Sequence, residues 1–270
     1  MHSYSKTVSQ IYFVLHPTLI ITMLLLSLIS MTSTILYARP LITLSSPDIT
    51  ASYFHTNEYS GLADEILTEA FARINYDLEI VVLPSERSLK MANSGQLGGE
   101  MLRTTAIEGE YPNLIRVSES IIDVEFIVLS YSPIDLSAGW SALNEKSVGF
   151  VIGMKIIEKN IPEEARVTGV KSIKQLFNIL KSNRIEYAVF ARSIAEDFIH
   201  RNNIEGILVS GPPLASVPGY IYLNKKHKQL IPELERSLRE MKEEGSFQKI
   251  VDKHRRKREK NANVHKKSPS

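Results

Sequence analysis

Apolar and polar positions follow two alternating periods along the chain. Short β-branched or apolar runs predict strands, the clearest of which are 41–45, 77–83, 124–131, 147–152 and 187–190. Between them, apolar residues three and four positions apart predict amphipathic helices, as in 61–74, where Leu62, Ile66 and Ala70 share one face. Strands that alternate with helices predict an α/β fold with largely parallel sheets.

The segment from Gly219 to Val251 changes period twice. It starts with alternating aromatic and aliphatic side chains, which predict a strand, and a polar turn follows. A helix is expected from near Ile231, with Pro232 in its first turn. Its apolar stripe consists of Ile231, Leu234, Leu238 and Met241. Gly245 ends this helix, and Ser246 begins a further short one.

Two stretches rich in serine, glycine and proline predict where the chain passes between two lobes. Residues 132–139 would begin the second lobe, and 211–213 would return the chain to the first. The expected lobes are 39–132 plus 215–252 and 133–214. Two crossings leave a cleft and a hinge between the lobes, a geometry suited to closing around a small molecule.

The N-terminus has the pattern of a secretory signal peptide. Lys6 is the only ionised side chain before Arg39, and residues 19–29 are nearly all apolar. We expect the leader to cover residues 1–38, with Ala38 as its last residue. A retained membrane anchor is the alternative, but the apolar run is shorter than the roughly twenty residues that a spanning helix needs.

Charge is unevenly distributed along the chain. Of 32 Lys and Arg residues, eight lie in 253–270 and one is Lys6, whereas only one of 30 acidic residues lies in those segments. The body from 39 to 252 therefore holds 23 basic and 29 acidic residues, a net charge of −6. The basic tail 253–270 is expected to be solvated and disordered. The sequence contains no cysteine, which excludes disulfides and thiolate metal sites.

Several motifs, in order along the chain, resemble those of family 3 periplasmic solute-binding proteins. They are GLADEILTEAF from Gly61, SGQLGGEMLRT from Ser94, KSVGFVIGMK from Lys146, NRIEYAVFARSIA from Asn183 and the closing segment from Gly219. The resemblance implies a two-lobed type II periplasmic binding protein fold, each lobe a mixed, mostly parallel sheet flanked by helices, with a cleft between the lobes. It also implies a periplasmic protein that captures a small polar solute for an ABC-type permease or a sensor domain.

Two positions depart from the family's ligand clamp. Met154 stands where a threonine helps to hold the ligand carboxylate, and Arg192 stands about where an aspartate holds the ligand ammonium group. Arginine accepts no hydrogen bond and repels an ammonium group, so the usual capture of an α-amino acid is not expected. Arg103 lies earlier than the family's carboxylate-binding arginine.

Three arginines could together hold an acidic solute, because guanidinium groups bind carboxylate or phosphate through paired hydrogen bonds. They are Arg87, Arg103 and Arg192. The alternative for each is an ordinary exposed or salt-bridged arginine. Backbone N–H groups at Gly153 and Met154 could also bind an anion at a helix start, or form an ordinary strand-to-helix turn.

The loop after the first strand is rich in aromatic residues. Tyr53 and Tyr59 are candidates for stacking on a ligand, although such rings equally often pack within the protein. Glu100 is the one carboxylate near the expected cleft that would suit acid–base chemistry or ligand contact. Because no second catalytic group accompanies it, a secreted dehydratase- or hydrolase-like enzyme is the alternative rather than the main hypothesis. An interaction module that docks through the basic tail is a third hypothesis.

The histidines complete the candidate chemistry. His55, His200 and His227 have no regular ligand spacing, so no metal site is expected. No cofactor and no nucleic-acid partner is expected either, and the chain is expected to be a monomer whose ligand is a small solute.

Overall fold

The computed structural model describes residues 38–47 and 61–266, with side chains described as far as Arg256. Nine strands form one mixed sheet. They are β1 (Leu41–Pro47), β2 (Asp77–Leu83), β3 (Gly99–Arg103), β4 (Leu114–Arg116), β5 (Ile122–Ser130), β6 (Ser147–Val151), β7 (Arg166–Val170), β8 (Tyr187–Ala191) and β9 (Leu208–Asn224). The predicted α/β class is confirmed, and each predicted strand listed above is present.

Helices connect the strands where apolar residues recur three and four positions apart. They are α1 (Leu62–Arg73), α2 (Ser85–Ser94), α3 (Lys155–Asn160), α4 (Ile173–Lys181), α5 (Arg192–Arg201), α6 (Ile231–Glu243) and α7 (Ser246–Lys266). Short 3-10 helices cover Thr105–Ile107, Gly139–Leu143 and Lys225–Leu230. Local chemistry sets several ends: Ser172 caps α4 by accepting from the N–H of Gln175, and Gly95 ends α2 in the left-handed conformation.

The strands fall into two groups that differ in their neighbours. Their order across the sheet is β2-β1-β3-β9-β5-β8-β6-β7, and β4 also pairs with β9. We call β1 to β4 with the end of β9 the first strand group, and β6 to β8 with the end of β5 the second strand group. Within each group β1, β2 and β3, or β6, β7 and β8, pair in parallel, whereas β5 and β9 pair with their neighbours antiparallel.

An antiparallel ribbon of β5 and β9 joins the two groups. Its register runs from Ile122 opposite Gly219 to Ser130 opposite Leu208. Four residues of β9, 211–214, stand opposite the single residue Ile127 of β5, which shifts the register between Phe126 and Val128. The chain therefore passes from the first strand group to the second along β5 and returns along β9.

Apolar faces of the helices pack on this sheet as their periodicity predicts. Leu62, Ile66 and Ala70 of α1 are buried, as are Leu234, Leu238 and Met241 of α6. Residues from Pro40 onward pack as one compact unit, so the division into lobes at 133 and 215 stays a prediction.

The final helix extends further than its sequence indicates. α7 passes the expected end of the folded body at 252, where Lys253 Nζ lies 2.7 Å from Glu65 Oε1 and His254 Nε2 lies 2.9 Å from Glu65 Oε2. Burial alone would raise the pKa of Glu65, but these two partners outweigh it and hold the pKa below its ordinary value. The basic segment thus begins inside a packed helix, because Glu65 supplies a partner that composition does not reveal.

Some predicted features lie outside the described residues. These are most of the signal peptide and the aromatic candidates Tyr53 and Tyr59. Within the described ranges, no helix is both long enough and apolar enough to span a bilayer.

Candidate functional site

A cavity of about 70 Å³ lies between the two strand groups. Its wall includes residues at or just after the carboxyl ends of four strands: Pro47 of β1, Arg103 of β3, Gly153 after β6 and Ala191 of β8. In open α/β sheets, ligands bind outside the carboxyl ends of the strands. Both strand groups therefore direct the part of their structure that usually binds ligands towards the same cavity.

Apolar side chains supply much of the cavity wall. The first strand group and the ribbon contribute Leu102, Ile107, Ile122, Val124 and Phe126, and the second group adds Met154, Ile156 and Ile194. Five polar or charged residues also line it: Arg103, Thr104, Asp123, Lys155 and Ser193. The side chains of Thr104, Asp123 and Ser193 make no hydrogen bond or ion pair with other described residues. The cavity thus combines an apolar wall with a few polar groups that a ligand could engage.

Glu100 lies in β3, three residues before Arg103, and every residue of this strand is buried. Its side chain is 0 % exposed. Arg103 Nε donates to Glu100 Oε1 at 2.6 Å, and Arg103 Nη2 contacts the same oxygen. Ser45 Oγ and Ser88 Oγ each donate to Glu100 Oε2 at 2.6 Å. Both carboxylate oxygens therefore have protein partners, and the predicted ligand contact of Glu100 stays a prediction.

Arg103 connects the carboxylate of Glu100 to both strand groups. Its Nη1 donates to Ser85 Oγ at 2.8 Å and to the Gly153 carbonyl at 3.3 Å. Its Nη2 donates to the Ser85 carbonyl at 3.1 Å. Every N–H of the guanidinium therefore has a protein acceptor, and the contact with Gly153 reaches the second strand group.

Gly153 packs directly against the first turn of α2. A Cβ at this position would lie 2.5 Å from the Glu86 nitrogen and 2.8 Å from the Ser85 carbonyl carbon, and φ is +93°. The Gly153 N–H donates to Glu158 Oε1 at 2.6 Å. The Met154 N–H donates to the Val151 carbonyl at 3.2 Å. These N–H groups were predicted to bind an anion, but acceptors of the protein already use them.

Lys155 forms ion pairs that make a second set of contacts between the strand groups. Its Nζ lies 2.8 Å from Glu158 in its own helix, and 3.0 Å from Glu86 and 2.9 Å from Glu110 in the first strand group. Nζ also lies 5.7 Å from the centre of the Tyr111 ring, a cation–π distance. Its side chain is only 8 % exposed. We call Lys155 and its three carboxylates the lysine cluster.

The pKa shifts of Lys155 and Glu86 favour the charged form of both groups. Burial alone would lower the pKa of Lys155, but its three carboxylate partners outweigh burial and raise the pKa above its ordinary value. Burial alone would raise the pKa of Glu86, yet Lys155 and Lys90 hold it below its ordinary value. Only the spacing of Lys155 and Glu158, one helical turn apart, was visible in the sequence. The contacts with Glu86 and Glu110 were not.

The other two arginine candidates lie away from Arg103's hydrogen bonds. Arg192 begins α5, and its Nε lies 2.5 Å from Glu125 and its Nη1 3.3 Å from Glu196. Burial lowers the pKa of Arg192, but these carboxylates outweigh it and raise the pKa. Arg192 does not line the cavity, although its neighbours Ala191 and Ser193 do. The predicted convergence of Arg87, Arg103 and Arg192 is therefore absent from the described structure.

Arg87 instead lines a second depression, which we call the α2 groove. This groove has a volume of about 570 Å³ and runs along α2 to Gln96, with Ile152 and Lys171 of the second strand group on its other side. Arg87 is exposed there. Within the described part of the chain, no group of three or more His, Asp or Glu side chains is placed to hold a metal ion.

The sequence has limited similarity to known proteins. No family model matches the sequence. The chain is 26% identical over 217 residues to an uncharacterised protein of Shewanella oneidensis, covering 76% of this chain and 81% of that protein.

Solved structures show a clear likeness in fold. An ancestral arginine-binding protein bound to glutamine has a TM-score of 0.67 at 17% identity, covering 80% of this chain and 97% of that one. The GluR0 ligand-binding core of Nostoc punctiforme, in complex with L-glutamate, has a TM-score of 0.65 at 15% identity, covering 78% and 98%. A histidine kinase sensor domain with similarity to periplasmic binding proteins has a TM-score of 0.66 at 14% identity, covering 80% and 96%.

These likenesses confirm the fold that the sequence motifs predicted. The chain has the two-lobed type II fold of periplasmic binding proteins, with the β5–β9 ribbon between its strand groups.

Proposed function

We propose that the chain is a solute-binding protein that closes its two strand groups around a small molecule. The observation that carries this proposal is the cavity at which carboxyl ends of β1, β3, β6 and β8 meet. The similar structures support it, since they include an arginine-binding protein bound to glutamine, a ligand-binding core in complex with L-glutamate, and a sensor domain. Burial of Glu100, the carboxylate considered for acid–base chemistry, favours binding over the alternative of an enzyme.

The solute proposed here differs from the acidic one that the arginines predicted. Arg103 is already neutralised by Glu100, and Arg192 by Glu125 and Glu196. A buried anion would have to displace these carboxylates. The apolar wall with Asp123 fits a small solute that has an apolar part and a hydrogen-bond donor, such as an amine.

Two contacts would form when the strand groups close. One joins Arg103 to the Gly153 carbonyl, and the other joins Lys155 to Glu86 and Glu110. Each joins groups that come from different strand groups, so both must break for the cavity to open. Ligand binding would then shift an equilibrium between open and closed states, in proportion to its preference for the closed one.

We further propose that the protein acts in the periplasm and presents its solute to a membrane permease or to a sensor. The apolar N-terminal pattern supports export, and the similarity to both transport-related binding proteins and a kinase sensor domain supports either partner.

A thermal-shift screen with amines, amino acids, sugars and carboxylates tests the proposed function. A ligand at a hundred times its dissociation constant should stabilise the protein by about 2.7 kcal/mol. For a domain of this length, that corresponds to a rise of about 5–10 °C in Tm. Ser193→Leu, which fills the cavity, should abolish the rise, whereas Ser137→Leu at an exposed turn should keep it.

Small-angle scattering on the same samples should show a smaller radius of gyration when the ligand is bound. A panel in which no amine, amino acid or sugar stabilises the protein, or a shift with one of these compounds that persists in Ser193→Leu, would contradict binding in this cavity.

A further inference from the structure

The α2 groove has a larger volume than the cavity. It is about 570 Å³ in volume, within the range of about 300–1,000 Å³ that small-molecule sites occupy. One side is α2 of the first strand group, and the other is Ile152 and Lys171 of the second strand group. The groove is therefore large enough for an organic molecule and lies across the junction of the two groups.

Positive charge accumulates in this groove. Arg87, Lys90 and Lys171 line it together with a single carboxylate, that of Glu86. Glu86 is already engaged, because Lys155 Nζ lies 3.0 Å and Lys90 Nζ 3.2 Å from its oxygens. Among the described residues, the charged ends of Arg87 and Lys171 have no ion-pair or hydrogen-bond partner.

The positive charge of the groove is opposite in sign to the net charge of the body. Residues 39–252 carry a net charge of −6, so unpaired cations on facing sides of one depression are not what the overall composition would produce. A local excess of one charge attracts ligands of the opposite charge. Arg87 adds geometric selectivity, because a guanidinium binds a carboxylate through two parallel hydrogen bonds.

The groove also offers apolar surface between its cations. Ile152 is 39% exposed, and Met91, which also lines the groove, is half-buried. Solvent contact with these side chains would be lost under a bound carbon skeleton, and this burial favours binding. The ligand class is therefore an anion with an organic body rather than an inorganic ion.

We propose that the α2 groove is a second binding site, for a small organic polycarboxylate. One carboxylate meets Arg87, another meets Lys171, and the carbon skeleton covers Ile152 and Met91. Such a ligand touches both strand groups and so favours the closed arrangement. No residue lines both the groove and the cavity, so the two ligands would make separate contacts.

Isothermal titration of the full chain with citrate at neutral pH and low salt tests this site. We expect Arg87→Gln and Lys171→Gln each to weaken citrate binding by about fivefold to tenfold, as the loss of one charge-assisted contact predicts. Lys174→Gln removes the same charge from an exposed position of α4 outside the groove and should leave the affinity unchanged. Added salt should weaken binding to the unaltered chain.

Three results would overturn the proposal. They are equal affinities in Arg87→Gln and Lys174→Gln, no citrate binding at millimolar concentration, and binding of an acidic tripeptide but not of citrate. The last result would make the groove a docking site for an acidic chain segment. The thermal-shift ligand of the cavity should stabilise Arg87→Gln as it stabilises the unaltered chain, so failure of one site is distinguishable from failure of the other.

Discussion

The cavity and the α2 groove both lie at the junction between the strand groups, but they differ in whether their arginine and lysine side chains have partners. Around the cavity, Arg103 is fully hydrogen-bonded to Glu100, Ser85 and Gly153. In the groove, Arg87 and Lys171 have no partner among the described residues. The buried arginine at the cavity of about 70 Å³ is paired, whereas these two exposed cations in the groove of about 570 Å³ are not.

Desolvation explains this difference. An unpaired charge in an enclosed site costs several kcal/mol, so the protein supplies a partner for each cation that it buries. A cation in an open groove keeps its water and needs no partner until a ligand arrives. It follows that a buried arginine next to a cleft is a weak indication of an acidic ligand, whereas an exposed and unpartnered one is a stronger indication.

The largest effect is expected when the buried carboxylate of Glu100 is removed. Glu100→Gln leaves the Arg103 guanidinium buried without a counter-charge, and we expect a loss of about 3 kcal/mol in the free energy of unfolding. Glu125→Gln removes the partly exposed partner of Arg192 and should cost less than about 1 kcal/mol. Urea unfolding measures both. Equal losses would show that burial does not distinguish the two ion pairs.

An intermediate effect is expected from Gly153→Ala. The new Cβ would lie 2.5 Å from the Glu86 nitrogen, and φ of +93° is unfavourable for alanine, so we expect a loss of about 2–3 kcal/mol in unfolding free energy. The radius of gyration should also rise as the strand groups separate.

Gly139→Ala is the matched control for this change. Gly139 has φ of +58°, but a Cβ there would meet no atom within 4 Å. It should lose only the cost of its backbone conformation, about 1 kcal/mol, and keep the original radius. If both variants behave alike, the contact between Gly153 and α2 does not control closure.

The smallest of the three effects is expected in the lysine cluster and depends on pH. Lys155→Met keeps the aliphatic length but removes the ammonium group, and should cost about 1 kcal/mol at pH 7. Glu86 has a lowered pKa in the folded protein, so its contribution is complete above its ordinary value of 4.5 and is lost as pH falls through the folded value.

The difference between Lys155→Met and the unaltered chain should therefore shrink when urea unfolding is repeated below pH 4. Lys174→Met should show little difference at either pH, because Lys174 is exposed on α4 and forms no ion pair with a described residue. A Lys155→Met difference that stays constant with pH would contradict the assignment of the cluster to charge attraction.

Local periodicity was sufficient to predict much of the fold. The stripe of Leu62, Ile66 and Ala70 and the order of strand, helix and glycine after 219 were visible because they depend on neighbouring residues. The length of β9 was not predicted. Gly211 and two prolines indicate a loop, whereas in the structure they form the extra residues of a strand that runs on to Asn224.

The candidate site was predictable only in part, for a related reason. Arg103, Gly153 and Met154 do lie together at the cavity, because strand ends and the turns that follow them can be located from the sequence. What those groups contact could not be inferred. Glu86 and Glu110 meet Lys155 only through the packing of segments far apart in the chain, and no spacing rule links them.

The position of β9 in the sheet has a consequence for how the chain folds. β3 lies between β1 and β9, so the first strand group is complete only when residues 220–223, made late in synthesis, reach it. The second strand group draws β6, β7 and β8 from the continuous segment 147–191 and can assemble before that. Until β9 arrives, the buried residues of β3 border an open strand edge, which is a template for association between chains. We therefore expect a nascent chain halted before Gly219 to associate through this edge and become insoluble, whether or not a ligand is present.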